Sequence, residues 1–245
     1  MMQGKRVLIT GGSRGLGAAM SRLFASYGAR IAFTYTRDEK AAATAVEQIQ
    51  SLGSEARAFK VSVLDSEATE SMVGELESDW GGIDILVNNA GISQSLPLAL
   101  LEEEDWDRVV DTNVKGTFLT SRHVLRSMIR RKSGVVLMIG SLVGERMMDA
   151  PVHYCASKAA IRGLTEALAK EVARYGIRVL CLAPGLLEDG MGQNLPDHRL
   201  ADYLKHCSLG RVGKLEEIAQ LAAFLVSDGN SYMSGETVVA DGGVN

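Results

Sequence analysis

Short apolar runs recur along the chain at residues 6–10 (RVLIT), 30–34 (RIAFT), 57–61, 83–87 (IDILV), 134–139 (GVVLMI), 177–182 (IRVLCL) and 237–240. Each is rich in branched side chains and alternates little between apolar and polar, the pattern of strands covered on both faces. Between them lie stretches with apolar residues at helical spacing: 16–27, 38–52, 66–80, 106–131, 154–175 and 216–227. The second ends at Gly53 and the third at Gly81-Gly82, where glycine stops a helix. Strand, helix and strand in this repeat predict right-handed crossovers. The expected fold is therefore α/β: one doubly wound parallel sheet of about seven strands with helices on both faces. No Pro/Gly/Ser-rich linker interrupts the pattern, so residues 1–245 read as a single domain. The stretch 184–214 is the exception. A long irregular excursion with one short helical piece predicts a substrate loop or lid.

Composition changes this picture little. The chain has 245 residues, 46% hydrophobic and 23% charged, enough for one large core and too apolar for disorder. A net charge of -4 gives no global pull towards nucleic acid or an acidic membrane. The three cysteines, Cys155, Cys181 and Cys207, have no C-x-x-C spacing, so neither a disulfide framework nor a metal site is expected. The N-terminal segment lacks the long apolar stretch of a signal peptide, no run is long enough to span a membrane, and a cytoplasmic protein is expected.

Chemistry enters at the first strand–helix junction, where Gly11-Gly12-Ser13-Arg14-Gly15-Leu16-Gly17 follows Thr10 directly. Glycines there permit a tight turn and close approach of a pyrophosphate. The new helix presents free N–H groups and the positive end of its dipole. At the end of the second strand, where an acid would accept a ribose 2′-hydroxyl, the chain reads Tyr35-Thr36-Arg37. With Arg14 this makes two guanidinium groups and a hydroxyl, a set that suits a 2′-phosphate and hence NADPH/NADP+. Asp38 and Glu39 beside Arg37 keep open the alternative that Arg37 is a solvated helix-start residue.

A second cluster is His153-Tyr154-Cys155-Ala156-Ser157-Lys158. Tyr154 and Lys158 are four apart and share a helical face. An ammonium beside a phenol is expected to lower its pKa and make the tyrosine a usable acid or base. Taken alone, this spacing also fits a core tyrosine with a solvated lysine.

Together with Thr10, the glycine loop, Asp84 to Gly91 (DILVNNAG), Asn113, Ser141, Pro184-Gly185 and the terminal Asp241-Gly242-Gly243, the pair resembles the short-chain dehydrogenase/reductase family. The resemblance covers the whole chain and is greatest to the β-ketoacyl-acyl-carrier-protein reductases. It implies a Rossmann-like fold and a carbonyl reduction. Tyr154 would protonate the carbonyl oxygen, Ser141 would orient it, and Lys158 would hold the nicotinamide ribose and depress the tyrosine pKa. Asn113 would hold a water relaying protons to Lys158. Gly11, Gly12, Ser13, Arg14, Leu16, Thr36, Arg37, Ser62, Val63, Asn89, Gly91, Pro184, Gly185 and Leu187 would line the cofactor with Tyr154 and Lys158.

The chain departs from the family at two places. Ser62-Val63 stands where relatives commonly have Asp-Val towards the adenine, with Asp65 a nearby substitute. Asp189 stands where many place a threonine on the nicotinamide carboxamide, and an ionised carboxylate has no proton to donate. The substrate rim is expected to include Met147, Met148 and Met191, with Ser141 and Tyr154, since methionines adapt to apolar acyl or polyketide chains. Those methionines equally suit loop packing. Arg130, Arg131, Lys132 and Arg174 form a candidate patch for an acyl carrier protein, or simply satisfy helix C-termini. The resemblance implies a homotetramer. The leading function is an NADPH-dependent reductase of a 3-oxoacyl thioester, for fatty acids or a secondary metabolite. The alternatives are a dehydrogenase of a free alcohol, sugar or steroid, and a non-catalytic NADP(H) sensor.

Overall fold

The computed structural model describes residues 1–190 and 197–244. Seven parallel strands form one sheet in the order β3-β2-β1-β4-β5-β6-β7. They are β1 (Arg6–Ile9), β2 (Arg30–Tyr35), β3 (Ala56–Lys60), β4 (Ile85–Asn88), β5 (Gly134–Ile139), β6 (Ile177–Pro184) and β7 (Thr237–Ala240). The helices are α1 (Gly15–Ser26), α2 (Glu39–Ser51), α3 (Ser66–Trp80), α4 (Glu103–Val110), α5 (Gly116–Arg131), α6 (Val152–Val172), α7 (Asp197–His206) and α8 (Leu215–Val226). The fold expected from the apolar runs is the fold observed.

Side chains alternate across each strand, so one run feeds two cores. Val7 and Ile9 of β1 point to the layer of α1, α2 and α8; Leu8 points to that of α3, α5 and α6. This explains the missing polar alternation in the sequence. The sheet runs β1 to β3 in one direction, then restarts at β4 on the other side of β1. The reversal opens a crevice at the C-terminal ends of β1 and β4, where doubly wound sheets bind ligands.

One expected helix is two. The stretch 106–131 begins earlier, at Glu103, and is broken by a π-helical turn at Asp111–Lys115. A π turn inserts an extra residue into the helical ladder. Its position, at Asn113, matters for the site.

At the opposite end of the sheet, Asp84 holds the start of β4 in place. Arg6 Nε donates to Asp84 Oδ2 at 2.8 Å, and Arg131 Nη1 to Oδ1 at 2.9 Å. Burial pushes the Asp84 carboxyl up, but its hydrogen bonds from Arg6 outweigh this and hold it below the usual carboxylate range. Its contribution is thus present above the unfolded value and lost as pH falls through the lower folded one. Asp84→Asn leaves two partly buried guanidinium groups short of a partner and should cost on the order of 2–4 kcal/mol. Denaturant unfolding at pH 7 checks this, and an unchanged midpoint would contradict it.

Candidate active site

The glycine loop is built as its sequence requires. Gly12 abuts Phe33 of β2, and Gly17 abuts the Gly11 carbonyl and the Asn89 side chain, leaving no space for a Cβ at either position. Gly11 and Gly15 adopt positive φ, of 67° and 53°. Arg14 begins α1 without a side-chain cap, so the first-turn N–H groups remain available to an anion. Thr10 and Asn89 brace the loop. Thr10 Oγ1 accepts from Asn89 N and Ala90 N at 3.0 Å, and Asn89 Nδ2 donates to Thr10 O at 2.9 Å and Gly11 O at 3.0 Å. The Asn89 amide therefore shapes the loop instead of facing a ribose. The cradle fits a dinucleotide pyrophosphate.

At the end of β2, Thr36 and Arg37 are exposed, as is Arg14. The neighbouring acids are committed elsewhere. Asp38 Oδ1 accepts from Ala41 N at 2.8 Å as the cap of α2, and Glu39 pairs with Lys60 at 2.6 Å. Arg14 and Ser13 also line a groove of about 430 Å³ with Lys40, Gln48 and Asp189. After β3, Ser62 is exposed and its Oγ accepts from Leu64 N at 3.3 Å, while Val63 is buried against Gly116. Asp65 caps α3, accepting from Ala68 N at 2.9 Å, so it is no substitute towards an adenine.

Ser141 follows β5, and Tyr154 and Lys158 lie on the first turns of α6, so all three sit beyond the C-terminal ends of the strands. Lys158 is 4% exposed and Tyr154 9%. The expected depression of the tyrosine pKa is not found. Burial pushes Tyr154 up to about 12, and its hydrogen bond with Ser141 offsets only part of that. The reason is where the lysine points. Lys158 Nζ donates to Ile139 O at 2.8 Å and lies 5.7 Å from the Tyr154 ring centre. Burial pulls Lys158 itself down to about 8, partly opposed by Cys181. At neutral pH the pair is a protonated phenol beside a mostly charged amine.

The Asn113 side chain is held by the loop after β4 and by α6. Its Nδ2 donates to Ile92 O at 3.0 Å and Ser157 Oγ at 2.9 Å, and its Oδ1 accepts from Ile92 N at 2.8 Å. Ser157 Oγ in turn donates to Tyr154 O at 2.8 Å. The side chain is thus fully used as a clamp between the loop after β4 and α6. Gly91 fits between this clamp and the lysine: a Cβ there would lie 3.2 Å from Asn113 Oδ1 and 3.7 Å from Lys158 Nζ. The π turn rotates Asn113 towards Ile92, and nothing in Asp-Thr-Asn-Val-Lys signals it. Ser157 went unnoticed although it lies inside the Tyr154–Lys158 motif.

Beyond β6, Gly213 bridges Leu187 in parallel fashion, donating to Leu186 O at 2.9 Å and accepting from Glu188 N at 3.0 Å. In a parallel bridge the flanked residue keeps its own N–H and C=O free. Leu187 therefore presents both to the opposite side, while its side chain packs on the core below. Asp189 is exposed and accepts from Gly190 N at 2.6 Å.

Of the expected substrate rim, Met147 is fully exposed and Met148 packs on Leu142, Cys207 and Val244. Met191 lies outside the described residues. The stretch 184–214 holds α7 as its short helix.

Three of the four basic side chains of the patch have neighbours of their own. Arg131 is committed to Asp84 and the Ile83 carbonyl, and Arg130 Nη2 pairs with Glu77 at 2.9 Å. Lys132 is the left-handed residue ending α5, and Arg174 stacks 4.9 Å over the Tyr175 ring. The 16 residues of α5 carry its C-terminus about 24 Å from the Asn113 end, to the end of the sheet opposite Tyr154.

Cys181 and Cys207 are buried free thiols and Cys155 is half-buried. Among the described residues no cluster could hold a metal, and no helix is long and apolar enough to cross a membrane.

A dinucleotide cradle at the switch point of a doubly wound sheet, with a buried Ser–Tyr–Lys group above it, defines a short-chain dehydrogenase/reductase, and the chain belongs to that family. The matching family model, described as enoyl-(acyl carrier protein) reductase, covers residues 11–245. The chain is 37% identical to the 3-oxoacyl-acyl-carrier-protein reductase FabG of Chlamydia muridarum, covering 100% of this chain and 98% of that one. It is 36% identical to FabG of Escherichia coli strain K12, covering 99% and 98%. Among solved structures it resembles a 3-oxoacyl-acyl-carrier-protein reductase from Brucella melitensis, with TM-score 0.92 at 31% identity over 99% and 92% of the chains. A short-chain dehydrogenase/reductase variant from Serratia marcescens gives 0.91 at 34% identity over 99% and 98%. The protein is an oxidoreductase.

Proposed function

We propose that this protein is a cytoplasmic NADPH-dependent ketoreductase, reducing the 3-oxo group of an acyl thioester borne by an acyl carrier protein to the 3-hydroxy product in fatty acid biosynthesis. The observation that carries the direction is the protonated Tyr154 phenol held beside Ser141. A phenol that keeps its proton to about 12 is an acid at cellular pH, and protonation of an oxygen as it becomes an alkoxide is the step a reduction needs. Ser141 orients that oxygen, and Lys158, anchored on the Ile139 carbonyl, would hold the nicotinamide ribose. Bound NADPH supplies the hydride. The glycine loop and the Leu187 backbone hold the two ends of the cofactor, and the closed packing around α6 excludes water from the proton donor.

NADPH is favoured by Arg14 and Arg37 at the end of β2, beside Asp38, which caps α2, and Glu39, which pairs with Lys60. A homotetramer accords with the FabG-like chain and with the general preference for symmetric assemblies.

The description of the family model favours a second reading, reduction of a carbon–carbon double bond in an enoyl thioester. That reaction passes its negative charge to the thioester oxygen as an enolate and ends with the proton on carbon, so the two readings differ in where the proton from Tyr154 is delivered. The test is cofactor oxidation with 3-oxoacyl and 2-enoyl thioesters, free and carrier-bound, each with NADPH and NADH. Turnover should be confined to the 3-oxo series, and Arg14→Ala with Arg37→Ala should cut the NADPH preference by about tenfold or more. Turnover of enoyl thioesters alone, or an NADH preference in the unmodified protein, would overturn the corresponding half.

A further inference from the structure

The loop Pro184 to Gly190 lacks the side-chain donor that relatives place at position 189, so its hold on the nicotinamide rests on the backbone at Leu187. Four contacts keep that backbone in place. Gly185 N donates to Ala240 O at 2.9 Å, the Gly213 bridge holds Leu186 and Glu188, and Glu188 Oε1 accepts from Leu215 N at 3.1 Å. The fourth comes from α7. The Tyr203 hydroxyl accepts from Leu186 N at 3.0 Å and donates to Asp241 O at 3.4 Å. Among the described residues it is the one side-chain group from outside this loop that takes one of its N–H groups.

The Pro184-Gly185 motif fits this arrangement. A Cβ at Gly185 would lie 2.5 Å from the Tyr203 hydroxyl and 2.9 Å from Asp241 Cα. The missing side chain is the space into which the hydroxyl reaches. Asp241 is fixed in turn: its Oδ1 accepts from Gly243 N at 2.9 Å, its Oδ2 lies 3.5 Å from Arg146 Nη1, and Arg146 also donates to the Val244 carbonyl. Arg146 belongs to the loop that follows Ser141. Tyr203 therefore ties the nicotinamide loop, α7 and the C-terminal tail to the segment carrying a catalytic side chain.

We propose that Tyr203 is a positioning residue for the reaction. Its hydroxyl fixes the Leu186–Leu187 backbone so that the free N–H and C=O of Leu187 meet the nicotinamide carboxamide, the work that Asp189 is unable to do. This rests on the assignment of the site to a nicotinamide dinucleotide.

The role predicts an effect on one half of the cofactor only. Tyr203→Phe keeps the ring and removes the hydroxyl. Binding of NADPH, measured by calorimetry, should weaken about 2- to 10-fold, the range of one lost hydrogen bond. Binding of 2′,5′-ADP, which lacks the nicotinamide, should be unchanged. Equal weakening of both ligands, or unchanged NADPH binding, overturns the proposal. If the unmodified protein fails to bind 2′,5′-ADP, the NADPH preference falls, and the same comparison is made with NADH and 5′-AMP. A second readout needs no variant. The Leu186 amide should be protected from hydrogen exchange before any cofactor is added, because its partner is the protein's own tyrosine. Exchange of that amide at the rate of an open chain likewise overturns the proposal.

Discussion

Tyr154→Phe should lower kcat by about 10²- to 10⁴-fold, the contribution of a positioned general acid, while the protein still binds NADPH. The ring remains, so the packing of α6 over β5 is kept; only the transferable proton is lost. The same substitution removes the hydroxyl of a residue that is 9% exposed and leaves Ser141 short of a partner, so stability should fall by about 1 kcal/mol. The measurements are single-turnover cofactor oxidation with a 3-oxoacyl thioester and NADPH binding by fluorescence. A variant turning over at near the unmodified rate would remove Tyr154 from the mechanism and leave Ser141 without a purpose. A variant that lost cofactor binding and turnover together would mean the hydroxyl serves binding, and the proton source would lie elsewhere.

The parts of this site that were legible in the sequence are those whose partners are close along the chain. Tyr154 and Lys158 are one helical turn apart, and the glycine loop is a single junction, so their geometry follows from local rules. The seven strands were legible for a related reason: a parallel sheet buries both faces, and the apolar runs record it. What was not legible depends on contacts between distant residues. Tyr203 meets Leu186 across 17 positions and Asp241 across 38, and no spacing rule connects them. Asn113 is picked out by the motifs around it, but its orientation is set by a π turn that no glycine or proline announces. The tyrosine pKa was misjudged because a four-residue spacing brings Lys158 near the ring without fixing where its amine points. The Ile139 carbonyl captures it. The partners of the basic patch were not legible because a charge count says nothing about acids folded beneath it, here Glu77 and Asp84.

Lys158→Met should abolish most activity and yet leave the protein as stable as before, or more so. The amine is 4% exposed, and burial lowers its pKa from 10.5 to about 8. A lysine whose folded value lies below its unfolded value binds protons more weakly in the native state. At pH 7 the charged amine therefore costs about 3 kcal/mol relative to an uncharged one. Between pH 8 and 10.5 the unfolded chain holds more protons than the native one, so this cost fades as pH rises and is gone above the unfolded value. Methionine fills the channel of the lysine stem without the charge. It gives up the bond to the Ile139 carbonyl, worth about 1–3 kcal/mol, which offsets part of the gain. The melting temperature of the variant at pH 7 should thus equal or exceed that of the unmodified protein, and the difference should shrink through pH 8 to 10.5. Turnover should fall on the order of 10²-fold, as expected when a group that positions the nicotinamide ribose is lost. In the unmodified protein kcat/KM should decline above about pH 8 as the same amine loses its proton, with the tyrosine still protonated at that pH. A variant several degrees less stable at pH 7, by an amount independent of pH, would mean that the buried charge stabilises the fold. The strain would then have to be sought elsewhere. If the predicted pattern is found, the charge at this position is maintained against the stability of the native state, and its function is to hold the nicotinamide ribose.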